Sequence, residues 1–179
     1  EAEKILRPVV EEHPEKTDAW ILLGDTLNLA DRLEESLEAY AVAMGHEDSE
    51  WASRAADSHA RTSRQHAVEK DYLVDINDLF VIKHPVKTGG PLWGNALGSV
   101  LAGARTDVCN LLDVQRSRRV TVVLYTPERF REVTGAHEWV GGLFDRKIRL
   151  PIGDLSRERD RTEAAFRHEF VHVIVSEWA

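Results

Sequence analysis

Cysteine is nearly absent from this 179-residue sequence: Cys109 stands alone. No intrachain disulfide can form, and a lone cysteine says nothing firm about redox compartment. Val108 and Leu111 flank it in a helical pattern, so Cys109 reads as a packed core thiol rather than a nucleophile. Clusters of positive charge are missing too. The net charge is −8 and no run of Lys and Arg stands out, which argues against nucleic acid and against an anionic membrane surface as partners. No apolar run approaches the length that spans a bilayer, and no signal-peptide pattern opens the chain. An initial Met is lacking as well. The chain opens Glu-Ala-Glu, as an internal start would, so a removed targeting segment is compatible with it and location stays open between the cytoplasm and export.

What is present is ordinary for a folded protein. Hydrophobic residues make up 42% and charged residues 30%, and the length suits one domain or two small ones.

The most informative stretch lies near the end: Arg167-His168-Glu169-Phe170-Val171-His172-Val173. Residues four apart share one helix face, a turn apart. His168 and His172 can therefore turn one imidazole nitrogen each toward a single metal ion. Glu169 sits a step further round, placed to act on a water rather than to join the ligands. Two ligands and a general base from one helical turn is the chemistry of a His-Glu-x-x-His metal site. With His168 at zero and about 100° per residue, His172 falls at about 40°, and Phe166, Phe170, Val173 and Ile174 fall at about 140–240°. Ala164, Val171 and Val175 fill in between, so the pattern predicts a buried helix, in which a metal would satisfy the polar groups.

The first half is helical. Trp20, Leu23 and Gly24 form W-x2-L-G, followed by Ser36, Tyr40 and Ala43. An offset of 34 places Ala2 under Ser36, Leu6 under Tyr40, Val9 under Ala43 and Pro14 under Asp48. Small Ala2, Ser36 and Ala43 would let paired helices approach; Leu6, Tyr40, Trp20 and Leu23 would fill the groove; Gly24 would allow close packing. Asp31 is the expected start of the second helix, with Glu34 and Glu35 in its first turn. Ser49 is a plausible cap for a helix over about 50–71, which does not continue the W-x2-L-G pattern and reads as a capping and connecting helix. His59 and His66 on it are seven apart, which suits a solvated or groove-facing role rather than a metal site.

Texture changes near residue 72. Leu79 to Lys83 reads as a strand and Lys87 to Pro91 as a loop. Trp93, Leu97, Val100, Leu101, Ala104, Val108, Leu111 and Leu112 recur at three and four, an amphipathic helix. Arg119 to Tyr125 is a β-branched strand. Thr126 and Pro127 open a short helix that ends by Gly135. His137-Glu138 is not followed by a second histidine and reads as loop surface. Gly141 to Phe144, a polar turn at Asp145-Arg146-Lys147, and Ile148 to Pro151 form a hairpin. A charged stretch from Asp154 to Thr162 offers Ser156, Asp160 and Thr162 as caps for the last helix.

The period of 34 and the W-x2-L-G pattern resemble the tetratricopeptide repeat, over one second helix (about 2–12) and one complete repeat (about 17–45). Leu27 stands where an aromatic is usual, and Asp48 where Pro is usual. Fewer than three repeats rarely stand alone, so either further repeats precede residue 1 or this half leans on the second domain. From about 72 onward the order strand, helix, strand, helix, hairpin, helix, with His-Glu-Phe-Val-His, resembles the N-terminal half of a gluzincin metallopeptidase domain. More narrowly, it is similar to the bacterial peptidase-MA-like domains that follow tetratricopeptide repeats. The resemblance implies an α+β protein: tetratricopeptide-like helical hairpins with a connecting helix over 1–70, then a zincin-like half-domain over 71–179, incomplete at its C-terminal side, with the motif helix last.

It further implies zinc on His168 and His172, with Glu169 polarising the attacking water, and a protein or peptide substrate. The substrate would add as a strand along 140–144, giving Gly141, Gly142, Leu143 and Phe144 a binding role. Gly141 and Gly142 either let a substrate backbone approach closely or simply shape a tight loop. The repeats would recruit protein partners. Gluzincins supply a third ligand, usually Glu, from a later helix, whereas this chain ends seven residues after His172. Glu177 falls about 180° from His168 and cannot reach the same ion. Catalytic zinc takes three protein ligands. The expectation is a peptidase whose 179 residues alone bind zinc weakly and are inactive or nearly so. Asp113 and Asp145 are candidates, by residue type only, for support of the histidines. The alternative is a non-catalytic repeat scaffold with a degenerate zincin-like half.

Overall fold

The computed structural model describes residues 1–46, 49–86, 91–115, 118–153 and 155–178. Asp48, the loop 87–90 and Asp154 lie outside the described residues, as do the side chains of Ser49, Trp93 and Ser156. The chain is mixed α and β, with seven helices and one five-stranded sheet among the described residues. It divides into two compact units, 1–70 and 71–179.

The first unit is four helices: α1 (Ala2–Glu12), α2 (Thr17–Leu29), α3 (Leu33–Met44) and α4 (Ser49–Glu69). Val10, Ala19, Leu23, Leu27 and Ala39 form one core, with Leu6, Val9 and Trp20 packed against it. Ile21, Tyr40, Ala43 and Ala55 form a second. Gly24 is small for a reason: a Cβ there would stand 2.5 Å from Tyr40 Cε1. The Tyr40 hydroxyl donates to Asp25 (2.6 Å), and the fully buried Ser36 donates to the Gly24 carbonyl (2.8 Å). Ala2 differs from expectation. It is exposed, at the start of α1, and lets no paired helix approach.

Asp31 does not start α3. It adopts a left-handed conformation (φ 65°) and closes α2. The Arg32 N–H donates to the Leu27 carbonyl and the Asp31 N–H to the Asn28 carbonyl, both about 3.0 Å, the paired bonds of a Schellman ending. Asp tolerates the left-handed region better than most side chains, and that role displaced capping. Asp113 (φ 52°) ends a later helix in the same way, with Val114 donating to Cys109.

The second unit runs β1 (Leu73–Ile76), β2 (Phe80–His84), α5 (Pro91–Leu111), β3 (Val120–Tyr125), α6 (Pro127–Thr134), β4 (Leu143–Phe144), β5 (Ile148–Pro151) and α7 (Leu155–Trp178). The sheet order is β1-β2-β3-β5-β4. The three central strands are parallel and the two edges antiparallel. Central parallel strands are covered on both faces, and β2, β3 and β5 are buried nearly throughout. On one face Phe80, Ile82, Val122, Leu124, Ile148 and Leu150 meet α5 and α7 through Leu97, Leu101, Phe166, Phe170 and Ile174. Each such apolar side chain contributes roughly 1.5–3 kcal/mol when fully buried. On the other face Tyr125 packs against Phe130 of α6, centroids 6.3 Å apart.

Three readings of the sequence need correction. β1 was not foreseen: all four of its residues are exposed, so no buried stripe marked it. Leu111 is 83% exposed, whereas Leu112 and Val114 just after it pack against the core; at about 300° from Val108 it lies at the edge of the buried stripe of α5. Asp160 and Thr162 lie inside α7, not at its start. Charged residues at helical spacing, such as Glu163 and Arg167 (2.7 Å), carry that helix several residues further back than its apolar part. No described helix is long and apolar enough to cross a membrane.

Candidate metal centre

α7 positions the three motif residues. Phe166, Phe170, Val173 and Ile174 anchor it to the sheet, and that anchoring fixes which way the histidines point. His168 and His172 project from the opposite side and are exposed, together with Val171 (36%) and Val175 (52%). The helix is thus not buried all round. It forms the outer layer beside α5, and only its sheet-facing stripe is covered.

The two imidazoles converge. His168 Nε2 and His172 Nε2 are 3.3 Å apart, with the rings at 80° to each other. Two nitrogens bound to one zinc ion at about 2.0–2.1 Å in tetrahedral geometry lie about 3.3 Å apart. The separation matches that spacing, and it equally suits a hydrogen bond between the two rings. Among the described residues no third His, Cys, Asp or Glu completes a ligand group with them. Asp145 is committed elsewhere, accepting from Arg149 Nε at 3.0–3.1 Å. Asp113 terminates α5. Neither is bonded to a motif histidine, whose only described partners are each other.

Glu169 behaves differently from its neighbours. It is only 7% exposed, and burial pushes its carboxyl up from the usual range, partly offset by the two histidines. The segment before β4 covers it. A Cβ at Gly142 would come within 2.9 Å of Glu169 Cγ, 3.1 Å of its Oε1 and 3.1 Å of Leu150 Cδ2. A Cβ at Gly141 would meet Ala165 at 3.6 Å. The only positive-φ glycine among the described residues is Gly135, so Gly141 and Gly142 are not turn glycines. Their smallness lets the chain lie along α7, and the room at Gly142 is taken by Glu169 itself. Ala165 and Leu150 belong to the site for this reason. Ala165 and Glu169 are four apart on α7, a spacing that could have flagged a shared face.

Leu143 and Phe144 form β4, the edge of the sheet beside α7, paired with Arg149 and Ile148. Its other side pairs with no described strand. A cleft of about 120 Å³ adjoins Val140 and Gly141, with Phe130 and Thr162 as buried lining and Arg131 and Arg161 at its polar walls. His137, at the surface, stacks on Trp139. Paired nitrogens, a buried carboxylate and an open strand edge thus lie on or beside α7, while the cleft's lining includes none of His168, Glu169 and His172. Comparison with known proteins adds no family: no family model matches the chain, and no curated protein sequence matches it.

Proposed function

We propose that the chain is the metal-binding part of a zinc-dependent metallopeptidase of gluzincin type, with residues 1–70 as a tetratricopeptide-like arm that recruits protein partners. The 3.3 Å convergence of His168 and His172, with Glu169 buried beside them, carries the reading. Bound there, zinc would supply Lewis-acid polarisation of a peptide carbonyl. An Oε of Glu169 would take a proton from the attacking water and return it to the leaving amine. The outer side of β4 offers backbone N–H and C=O groups to an extended substrate, which would pair along Leu143 and Phe144. With two histidine ligands, the 179 residues bind zinc weakly and hydrolyse peptides poorly or not at all.

Calorimetric zinc titration tests this. Weak binding is expected, abolished in His168→Ala and in His172→Ala and retained in Glu169→Gln. Absence of zinc binding by the unaltered chain would sink the proposal. It would leave the second reading, a non-catalytic repeat scaffold with a degenerate zincin-like half, which the missing third ligand among the described residues favours.

A further inference from the structure

Charge is divided unevenly along this chain. Residues 1–70 contain sixteen Asp and Glu against eight Lys and Arg, whereas residues 71–179 contain fifteen of each, so the first unit carries the whole net charge of −8. In a unit with two acids for every base, each arginine should find a carboxylate. Arg7 and Arg32 do, each bonding both Glu3 and Glu35. Arg54 lies 3.7 Å from Asp25 and over the Trp51 ring at 5.6 Å. Among the described residues Arg61 hydrogen-bonds only the Ser58 hydroxyl (3.2 Å). Arg64 has no ion pair or hydrogen bond among the described residues, and Asp57, one turn before Arg61, pairs with neither Arg61 nor Arg64 there.

These arginines share the outer face of α4. An offset of 34 residues places Asp57 and Arg61 where α2 has Leu23 and Leu27, both 2% exposed and central to the core. Polar residues at the equivalent positions of α4 leave that face open. Arg54, Arg61 and Arg64 instead wall a trough of about 530 Å³ together with Asp57, three cations to one carboxylate, where small Ser53 and Ala60 leave room between the long side chains.

We infer that this trough docks an acidic protein segment. Arg61 and Arg64 are one helical turn apart, close enough for both guanidinium forks to engage one carboxylate. Arg54 lies about 10 Å further along the helix at 1.5 Å per residue, and carboxylates three residues apart in a polyproline-II segment share one face about 9 Å apart. Nucleic acid fits less well: its dense phosphate charge would meet the sixteen acids of the same unit, whereas a short segment brings only two or three charges. The inference rests on the reading of residues 1–70 as a protein-binding arm and is independent of zinc.

Fluorescence anisotropy of the full chain without metal tests it. The probes are a labelled Glu-Gly-Ser repeat peptide, Gln-Gly-Ser and Lys-Gly-Ser peptides of equal length, and an oligothymidylate. The Glu peptide should bind about tenfold more tightly than the Gln peptide at low salt, weaken as salt rises, and lose that advantage in Arg61→Glu/Arg64→Glu. Both side chains are exposed, and circular dichroism checks the fold of the variant. If the Gln or Lys peptide binds as well as the Glu peptide, acid selectivity is overturned and the protein-binding arm survives. If no peptide binds, both fall. Equal Glu-peptide binding by the double variant, or tighter binding of oligothymidylate, also overturns the inference.

Discussion

Gly24 and Gly142 are the residues whose lack of a side chain the structure uses most directly. Tyr40 is 2% exposed, and its hydroxyl is held by Asp25, so its ring cannot swing away from an added methyl 2.5 Å distant without losing that bond. Gly24→Ala should destabilise the first unit by about 1–3 kcal/mol, the usual cost of overpacking, read as a lower thermal midpoint by circular dichroism. Gly142→Ala meets a softer neighbour, the flexible Glu169 side chain, as well as Leu150, and should cost about 1–2 kcal/mol. The two sites differ in what relieves them. In a Glu169→Ala background Gly142→Ala should cost measurably less, because the nearest atom, Glu169 Cγ at 2.9 Å, is then gone, and a double-mutant cycle would expose the coupling. Additive effects would mean that Glu169 does not lie against Gly142. The same cycle bears on function, since anything that pushes Glu169 out of its place also moves the proposed general base.

Among the elements, α6 shows local sequence and structure in closest agreement. Thr126 accepts from the Arg129 N–H, Pro127 takes the first turn, and Gly135 closes the helix at φ 69°. Thr126→Ala should cost about 1 kcal/mol through loss of the cap, measurable by chemical denaturation. The hairpin and the motif helix were legible for similar reasons: their signals are turn chemistry and four-residue spacing, both local. β1 was not legible, because an exposed edge strand of Leu73-Val74-Asp75-Ile76 has no buried face to impose alternation. Asp31 was misread because helix-starting and helix-ending signals overlap in a short αα turn. The contact between Gly142 and Glu169, and the exposure of the histidine face, depend on where α7 lies against the sheet, which no spacing encodes. A tertiary tie also joins α1 to the start of α3. Hydrogen bonds from Arg7, then Arg32, hold the Glu3 carboxyl below its usual range, and Arg32 followed by Arg7 do so for Glu35. Carboxyls depressed in the folded state contribute stability above their unfolded value, and that contribution is lost as pH falls through the folded one. Thermal melts taken downward from about pH 6 through the glutamate range near about 4.3 should therefore show acid destabilisation of the first unit, with a shallower dependence in Glu35→Gln.

For the molecule as a whole, the two compact units differ in composition as well as in architecture. One is all helix and holds the entire net charge; the other is charge-balanced and contains the histidine pair, the buried carboxylate and the open strand edge. Each has its own apolar clusters: those of residues 1–70 draw only on α1 to α4, and that of residues 71–179 only on the sheet, its helices and their connections. A ligand stabilises the cooperative unit that contains its site, by RT ln(1 + [L]/Kd), about 1.4 kcal/mol at ten times Kd. Zinc held by His168 and His172 should therefore act on one unit and spare the other. In hydrogen exchange followed by mass spectrometry, zinc is expected to slow exchange in α7 and in the β4–β5 hairpin beside it, while α1 to α4 exchange at unchanged rates. His168→Ala should abolish the effect without altering exchange in the first unit. Protection spread equally over both units would mean that they unfold together, and protection confined to α1 to α4 would place the metal somewhere other than the histidine pair.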